Sequence, residues 1–215
     1  MANQYGPRII TDGLVCALDA ADRNSYPGTG NVWTDLTGNG NNGTLFLSPS
    51  YSTAFRGVFT FDGSTQYITV SGLNYSIGTS TVFCASRYSG ATRGRMVNGT
   101  SNNWLIGQWG GSTENYYAEG WVSTVSSGAG DTVWRIYAAC GNSTTDSYQV
   151  YVNGSLTFDS NGGSQGPNGL TIGRYGQSAT EWTTGQVSFV YVYNRVLNRS
   201  EVSQNFNALR GRFGI

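Results

Sequence analysis

The chain has 215 residues, a formal net charge of zero and only 11% charged residues, with no histidine. Without a basic stripe we expect no binding to nucleic acid through its phosphates, and without a long apolar run we expect no membrane insertion. The lack of histidine excludes Ser-His-Asp and Cys-His catalysis, while 31 glycines and 13% aromatic residues favour an all-β domain with short strands.

The chain begins with a polar stretch that we interpret as an N-terminal arm, residues 1–12, ahead of a single domain at residues 13–215. The start, MANQYGPRII, lacks the basic and apolar segments of a signal peptide. Cys16, Cys84 and Cys140 each lie in an apolar run and are widely spaced, which predicts buried free thiols rather than metal ligands. Both features predict synthesis in a reducing cytoplasm.

Residues 31–46 read NVWTDLTGNGNNGTLF, with a cluster of glycine and asparagine between two strand-like segments. Both residue types tolerate a positive φ, so the cluster predicts a tight turn. A calcium loop would need several oxygen ligands with carboxylates among them, and Asp35 is the only acid in this stretch. The turn is the preferred interpretation, a structural calcium is the alternative, and no other cofactor is expected.

Alternation with a period of two residues dominates the middle of the chain. Apolar rows recur in RGVFTFDG, TVWRIYAAC and SYQVYVNG, and Asn153-Gly154 after the last of these is a strong hairpin signal. We expect roughly a dozen half-buried antiparallel strands in two stacked sheets.

The densest aromatic region lies between residues 104 and 121. Aromatic rings with polar neighbours can stack on sugars or anchor an interface, so five residues are candidate ligand-binding residues: Trp104, Trp109, Tyr116, Tyr117 and Trp121. Core packing or an assembly contact is the alternative for these rings. Nearby Arg93 and Arg95 are expected to be solvated or interfacial.

No catalytic residue is predicted. The acid pair considered for hydrolysis, Glu114 and Glu119, is five residues apart, and an odd spacing on a strand places side chains on opposite faces. Hydrolysis of a glycosidic bond needs two carboxyl groups that face each other across it.

The end of the chain predicts a strand followed by a helix. QVSFVYVYN, residues 186–194, is apolar on both faces, as expected for a buried strand. Asn198 and Glu201 form the pattern of a capping box. Val202, Phe206 and Leu209 share one side at helical spacing, and Gly211 could end the helix.

Several motifs then line up in order: GLVCALDAADRNSYPG, WTDLTGNGNNGTL, FDGSTQYITV, YQVYVNGSL, LTIGRYG and GQVSFVYVYNRVLNRSEV. Together they resemble the laminin-G-like branch of the concanavalin A-like jelly rolls. The first two are most similar to versions in virion proteins of tailed bacteriophages. The resemblance implies an all-β antiparallel jelly-roll sandwich with one short C-terminal helix, in a family whose members bind glycans or proteins and sometimes calcium.

The expected function is therefore that of a non-catalytic virion structural protein, a surface-displayed jelly-roll module acting as head decoration or accessory protein. The expected partners are other virion proteins, such as major capsid or tail proteins, cell-surface glycans bound weakly, and further copies of this chain in a homo-oligomer. The expected location is the virion, after synthesis in the host cytoplasm. The alternatives are a lectin-like receptor-binding domain of a tail fibre and a glycan hydrolase.

Overall fold

The protein is a sandwich of two antiparallel sheets, seen in a computed structural model that describes residues 7–123 and 130–215. The strands of these residues, in chain order, are β1 (Leu14–Asp19), β2 (Val32–Trp33), β3 (Gly43–Phe46), β4 (Ser50–Ser52), β5 (Val58–Thr60), β6 (Tyr67–Asn74), β7 (Thr79–Arg93), β8 (Val97–Gly99), β9 (Trp104–Trp109), β10 (Ser112–Ala118), β11 (Arg135–Asn142), β12 (Ser147–Val152), β13 (Ser155–Ser160), β14 (Asn168–Ile172) and β15 (Thr183–Tyr193). One α-helix, α1 (Arg199–Leu209), follows, and short 3-10 turns lie at Ala54–Arg56 and Arg210–Arg212. The predicted all-β antiparallel jelly-roll sandwich with a short C-terminal helix is confirmed.

Strand β15 is the centre of the larger, eight-stranded sheet. Its strands run in the order β13-β12-β11-β7-β15-β5-β4, and β1 also pairs with β15. One edge of β15 pairs with β7 from Thr183 to Tyr193. The other edge pairs with β5 near Val187 and with β1 from Phe189 to Tyr193. The last strand therefore holds together segments from the beginning and the middle of the chain.

The second sheet has seven strands in the order β10-β9-β8-β14-β6-β3-β2. Inward side chains of both sheets form the main core, which includes Trp33, Phe59, Ile68, Trp104 and Val190. Among the described residues, no helix covers the outer face of this sheet, because α1 packs against the other sheet. This open outer face is where the candidate site lies.

The alternation with a period of two residues correctly predicted on which face of the sheet the side chains lie. In β12, Tyr148 and Val150 face the core between the sheets, whereas Tyr151 faces the opposite side. The row Trp134, Ile136, Ala138 and Cys140 lies wholly in the second apolar cluster, on the outer face of the eight-stranded sheet. The hairpin prediction is also confirmed, since Val152 pairs with Ser155 and the two turn residues have positive φ.

Helix α1 covers that second cluster. Asn198 accepts a hydrogen bond from the Glu201 backbone N–H, and the Glu201 side chain accepts one from the Asn198 backbone, which confirms the capping box. Val202 and Leu209 are buried, as predicted. The prediction that Gly211 ends the helix is wrong, because α1 already ends at Leu209 and Gly211 lies within the following 3-10 turn.

The described part of the predicted arm, residues 7–12, lies against the C-terminal helix. Asn205 is fully buried, and its side-chain oxygen accepts a hydrogen bond of 2.7 Å from the Ile10 backbone N–H. The Tyr193 hydroxyl donates to the Ile10 carbonyl at 3.0 Å. Ile9 and Ile10 pack against the second apolar cluster. Residues 1–6 of the predicted arm lie outside the described residues.

Cys16, Cys84 and Cys140 are buried and free, as predicted. Of the helices that the structure describes, none has the length and apolar character needed to cross a membrane.

Candidate functional site

The aromatic region predicted to bind a ligand falls on β9 and β10, at one edge of the seven-stranded sheet. The two strands pair antiparallel, with Tyr117 opposite Leu105 and Tyr116 opposite Ile106. Since side chains alternate along a strand, neighbouring residues point to different faces of the sheet. Tyr116 and Trp104 point inward, whereas Tyr117 and Leu105 point outward.

Two of the five candidate residues therefore belong to the core. Trp104 and Tyr116 are each 1% exposed and pack edge to face with a centroid distance of 5.8 Å. Neither ring has a surface that a ligand could touch, so the expectation that they contact a ligand needs correction. The physical reason is the strand pleat, which directs every second side chain into the core.

The other three candidates come together around a pocket of about 200 Å³ on the outer face. The Trp121 ring lies 5.4 Å from Trp109 at an angle of 44°, and 5.0 Å from Tyr117 at 71°. All three side chains are half-buried. The pocket is lined by Arg95, Asn103, Leu105, Trp109, Tyr117 and Trp121.

A tight reversal after β10 brings Trp121 into this group. Glu119 has a φ of 55°, in the left-handed region, and the next residue is Gly120. A Cβ at Gly120 would collide with the Gly162 carbonyl oxygen, so only glycine fits there. The reversal returns Trp121 to a bridge with Tyr117, which places one ring beside the other.

Sequence reasoning missed the polar part of the pocket. Arg95, expected to be solvated or interfacial, is 6% exposed, and its Nε donates to the Glu181 carboxylate at 2.6 Å. The same carboxylate oxygen accepts a 2.9 Å hydrogen bond from the Trp109 indole N–H. Arg95 also donates to the Asn103 side chain at 2.6 Å and lies over the Tyr175 ring at 4.1 Å. Glu181 thus fixes both a cation and an aromatic ring.

Glu181 belongs to a loop, residues 173–182, that a buried side chain fastens to the sheet. The Asn98 amide nitrogen donates to the carbonyls of Thr171 and Arg174, and its oxygen accepts from the Gly176 N–H. At its other end the Glu181 carbonyl accepts from the Arg95 backbone N–H. No local pattern marks this arrangement, because the partners lie about 80 residues apart in the chain.

A larger hollow of about 340 Å³ lies between β6 and β14. Among the described residues that line it, none is aromatic or charged: they are Thr69, Val70, Ser71, Gly72, Leu73, Asn74, Thr100, Ser101, Asn168 and Gly169. Recognition of a small ligand needs apolar contact area together with a few oriented polar groups. The smaller pocket combines three aromatic rings with the hydrogen-bonded Arg95–Glu181 pair, and it is therefore the better candidate.

The Gly/Asn cluster lies in the turn that connects β2 and β3, residues 34–42, as the preferred interpretation predicted. Its single acid, Asp35, is 5% exposed and accepts hydrogen bonds from the backbone N–H groups of Ala17, Thr37 and Asn41. The carboxylate is thus already engaged by the protein. Across residues 7–123 and 130–215 there is no group of three or more acidic or cysteine side chains placed to hold a metal ion.

The acid pair considered for hydrolysis is divided between different partners. Glu114 lies 3.6 Å from the Arg135 guanidinium, whereas the Glu119 carboxylate accepts from the Asn103 backbone N–H at 3.3 Å. Asn103 lines the aromatic pocket, and Glu114 does not. The two acids therefore occupy separate environments.

No family model and no curated protein matches the sequence. Solved structures do match. The chain superposes on the binding domain of Paraclostridial Mosquitocidal Protein 1 with a TM-score of 0.66 and 16% identity, over 91% of this chain and 52% of that one. It superposes on the botulinum neurotoxin DC binding domain, in complex with SialylT, with a TM-score of 0.63 and 13% identity, over 92% and 52%.

A third match is domain 4 of an extracellular arabinanase from Geobacillus stearothermophilus, in complex with arabinotriose. The TM-score is 0.64 and the identity 15%, over 90% of this chain and 98% of that one. The chain thus spans about half the length of the toxin domains and almost all of the arabinanase domain. At these identities the likeness shows the fold: the chain is a β-sandwich of the kind found in these binding domains.

Proposed function

We propose that this protein is a non-catalytic binding module that holds a glycan against Trp109, Tyr117 and Trp121. The observation behind the proposal is the pocket itself: three half-buried rings line it, next to the hydrogen-bonded Arg95–Glu181 pair. Sugar rings present apolar C–H faces and hydroxyl edges, so they fit a site that combines aromatic faces with fixed donors and acceptors.

The structural neighbours support the glycan as ligand. One neighbour is in complex with arabinotriose and another with SialylT. Both share this fold, so a sandwich of this kind can present a sugar-binding surface. The part of this chain that we propose contacts the sugar is the aromatic pocket formed by Trp109, Tyr117 and Trp121.

The test is a glycan array followed by titration of the best ligand in solution. We expect binding by the wild-type protein and a clear loss in Trp109→Ala and in Tyr117→Ala. A wild-type protein that binds no glycan on the array, and none at millimolar concentration, would overturn the proposal.

The non-catalytic part of the proposal is tested separately. Polysaccharides incubated with the protein should give no products. Hydrolysis that disappears in Glu114→Gln would instead favour the alternative of a glycan hydrolase.

We further propose that the module works on the particle of a tailed bacteriophage, as a surface-displayed head decoration or accessory protein assembled in the host cytoplasm. The motifs GLVCALDAADRNSYPG and WTDLTGNGNNGTL support this context. Mass spectrometry of purified particles would test it. Hundreds of copies would indicate the head and a handful the tail fibre of the receptor-binding alternative, whereas absence from particles would overturn the context.

We also propose that the N-terminal arm attaches the module to the particle, and deletion of residues 2–11 tests this role. This deletion removes the contacts of Ile9 and Ile10 with the C-terminal cluster, so it also lowers stability. Asn205→Ala is a matched control, because it weakens the same attachment and keeps the arm. Failure to assemble in the deletion but not in Asn205→Ala would support the role, and normal assembly of the deletion would contradict it.

A further inference from the structure

The charge of the aromatic pocket bears on which sugars it can accept. Of the described residues that line it, Arg95 is the only one with a formal charge. Its guanidinium is 7% exposed and already paired with Glu181, Asn103 and the Tyr175 ring. A sugar carboxylate entering the pocket would therefore meet a cation whose charge the Glu181 carboxylate already balances.

The edge of the pocket carries negative charge instead. Glu181 is 34% exposed, and both of its hydrogen bonds from described residues reach the same oxygen, Oε2. Its Oε1 accepts none from the described residues and is available to a hydroxyl donor. Glu119 is exposed and contacts the backbone of Asn103, another residue of the pocket wall. With one cation and two carboxylates, the surroundings of the rings are net negative.

We infer that the pocket selects neutral, hydroxyl-rich sugars and discriminates against sugars that carry a carboxylate. The inference rests on the proposed function and specifies its ligand. A neutral sugar can stack on Trp121 and donate a hydroxyl hydrogen to Glu181 Oε1. A sialic or uronic acid would bring a further negative charge toward Glu181 and Glu119 without an unpaired cation to balance it, and like charges in close contact weaken binding strongly.

The size of the pocket limits how much of the ligand is held. Its volume of about 200 Å³ is below the range of sites that enclose a drug-sized ligand, which starts at about 300 Å³. The pocket therefore takes one sugar ring, and the remainder of an oligosaccharide extends along the outer face of the sheet.

The experiment compares matched neutral and acidic ligands by titration calorimetry. Suitable probes are arabinotriose, lactose and sialyl-lactose, together with the best neutral ligand of the array and its sialylated form. We expect sialylation of the ring in the pocket to weaken binding by about tenfold or more. Equal or tighter binding of the sialylated form would overturn the inference and leave the proposed function intact, whereas no binding of any probe would overturn the proposed function itself.

Two variants test whether the Glu181 carboxylate causes the weaker binding of acidic sugars. Glu181→Gln keeps an acceptor for Trp109 and Arg95 but removes the negative charge, so it should bring the two affinities closer together. Glu114→Gln removes an exposed carboxylate that does not line the pocket, and it should leave the ratio unchanged. A ratio that is the same in wild type and Glu181→Gln would contradict the assignment of the selectivity to this carboxylate.

Discussion

The outer face of the seven-stranded sheet carries two aromatic clusters that differ in what touches their rings. At the β9–β10 edge, Trp109, Tyr117 and Trp121 are tilted against one another around an open pocket. Toward the opposite edge, the Tyr67 ring stacks on Phe46 at 4.5 Å with an angle of 3° and is covered by the Arg174 guanidinium at 4.0 Å. The first cluster surrounds a pocket, whereas in the second the Tyr67 ring is covered by Phe46 and Arg174.

The difference teaches that a half-buried aromatic ring is not in itself a binding platform. Arg174 lies over Tyr67, whereas the corresponding cation of the pocket, Arg95, lies over Tyr175 and is held by Glu181. Glu181 thereby fixes the Arg95 guanidinium at the Tyr175 ring, next to the Trp109 indole that binds the same carboxylate oxygen. The two clusters have similar composition and differ in where the cation and the rings lie.

The largest effect is expected from Trp121→Ala. Removing this ring opens the pocket on one side and takes away the contact shared by both other rings, as for a central hot-spot residue worth about 2 kcal/mol. That corresponds to a loss of roughly 30-fold in glycan affinity. Calorimetry with the array ligand would measure this loss of affinity. An unchanged affinity would contradict the view that the pocket cluster binds the ligand and the Tyr67 cluster does not.

Glu181→Ala should have a smaller effect on two properties at once. Arg95 loses its carboxylate partner and Trp109 loses the acceptor for its indole N–H. Since Glu181 is about a third exposed, solvent screening reduces the cost, and we expect a loss of about 1.5 kcal/mol in the free energy of unfolding. Glycan affinity should fall about tenfold because the Trp109 ring is no longer fixed. Urea denaturation and calorimetry give the two values; a stability loss with full affinity would show that Glu181 does not position the ring.

Tyr67→Ala is the matched variant in the second cluster. It removes the stack on Phe46 and the contact with Arg174, so the free energy of unfolding should fall by about 1 kcal/mol. Glycan affinity should stay at the wild-type value because Tyr67 does not line the pocket. Weakened binding in this variant would mean that the ligand reaches both clusters.

The smallest effect is expected from pH between 6 and 8. The chain has no histidine, and burial raises the pKa of its three thiols, that of Cys140 to about 12. Stability and affinity should both be constant across this range, by urea denaturation and calorimetry. A step near pH 7 in the affinity alone would point to a titrating group that belongs to the ligand.

Acid should act on stability through groups outside both clusters. A hydrogen bond from Arg135 lowers the pKa of Asp131 to about 2, and hydrogen bonds from Arg195 lower the pKa of Glu201. A lowered folded pKa means that the contribution is complete above the unfolded pKa of about 4 and is lost as pH falls toward 2. Asp131→Asn lacks this titrating carboxyl group. In the variant, the free energy of unfolding should therefore fall by a few tenths of a kcal/mol less as pH decreases from about 4 toward 2, as for an exposed ion pair.

The fold was predictable because strand patterning is local. The alternation in SYQVYVNG, the Asn153-Gly154 turn and the Asn198–Glu201 capping box each involve neighbours in the sequence. The site was predictable only in part. The aromatic stretch identified Trp109, Tyr117 and Trp121, but a bulge between Ser112 and Asn115 shifts the register of β10, and the pleat buries Trp104 and Tyr116. The Arg95–Glu181 pair joins residues 86 positions apart, and no spacing rule predicts it.

The central position of β15 has a consequence for how the chain reaches its native state. The strands β1, β5 and β7 all pair with residues 183–193, so the middle of the eight-stranded sheet closes only after those residues have left the ribosome. Pairings this distant in sequence make folding slow, on the scale of about milliseconds to seconds for β-sandwiches. Until then the edges of β1 and β7 that bind β15 are unpaired. A nascent chain in that state can pair wrongly with other copies through these edges.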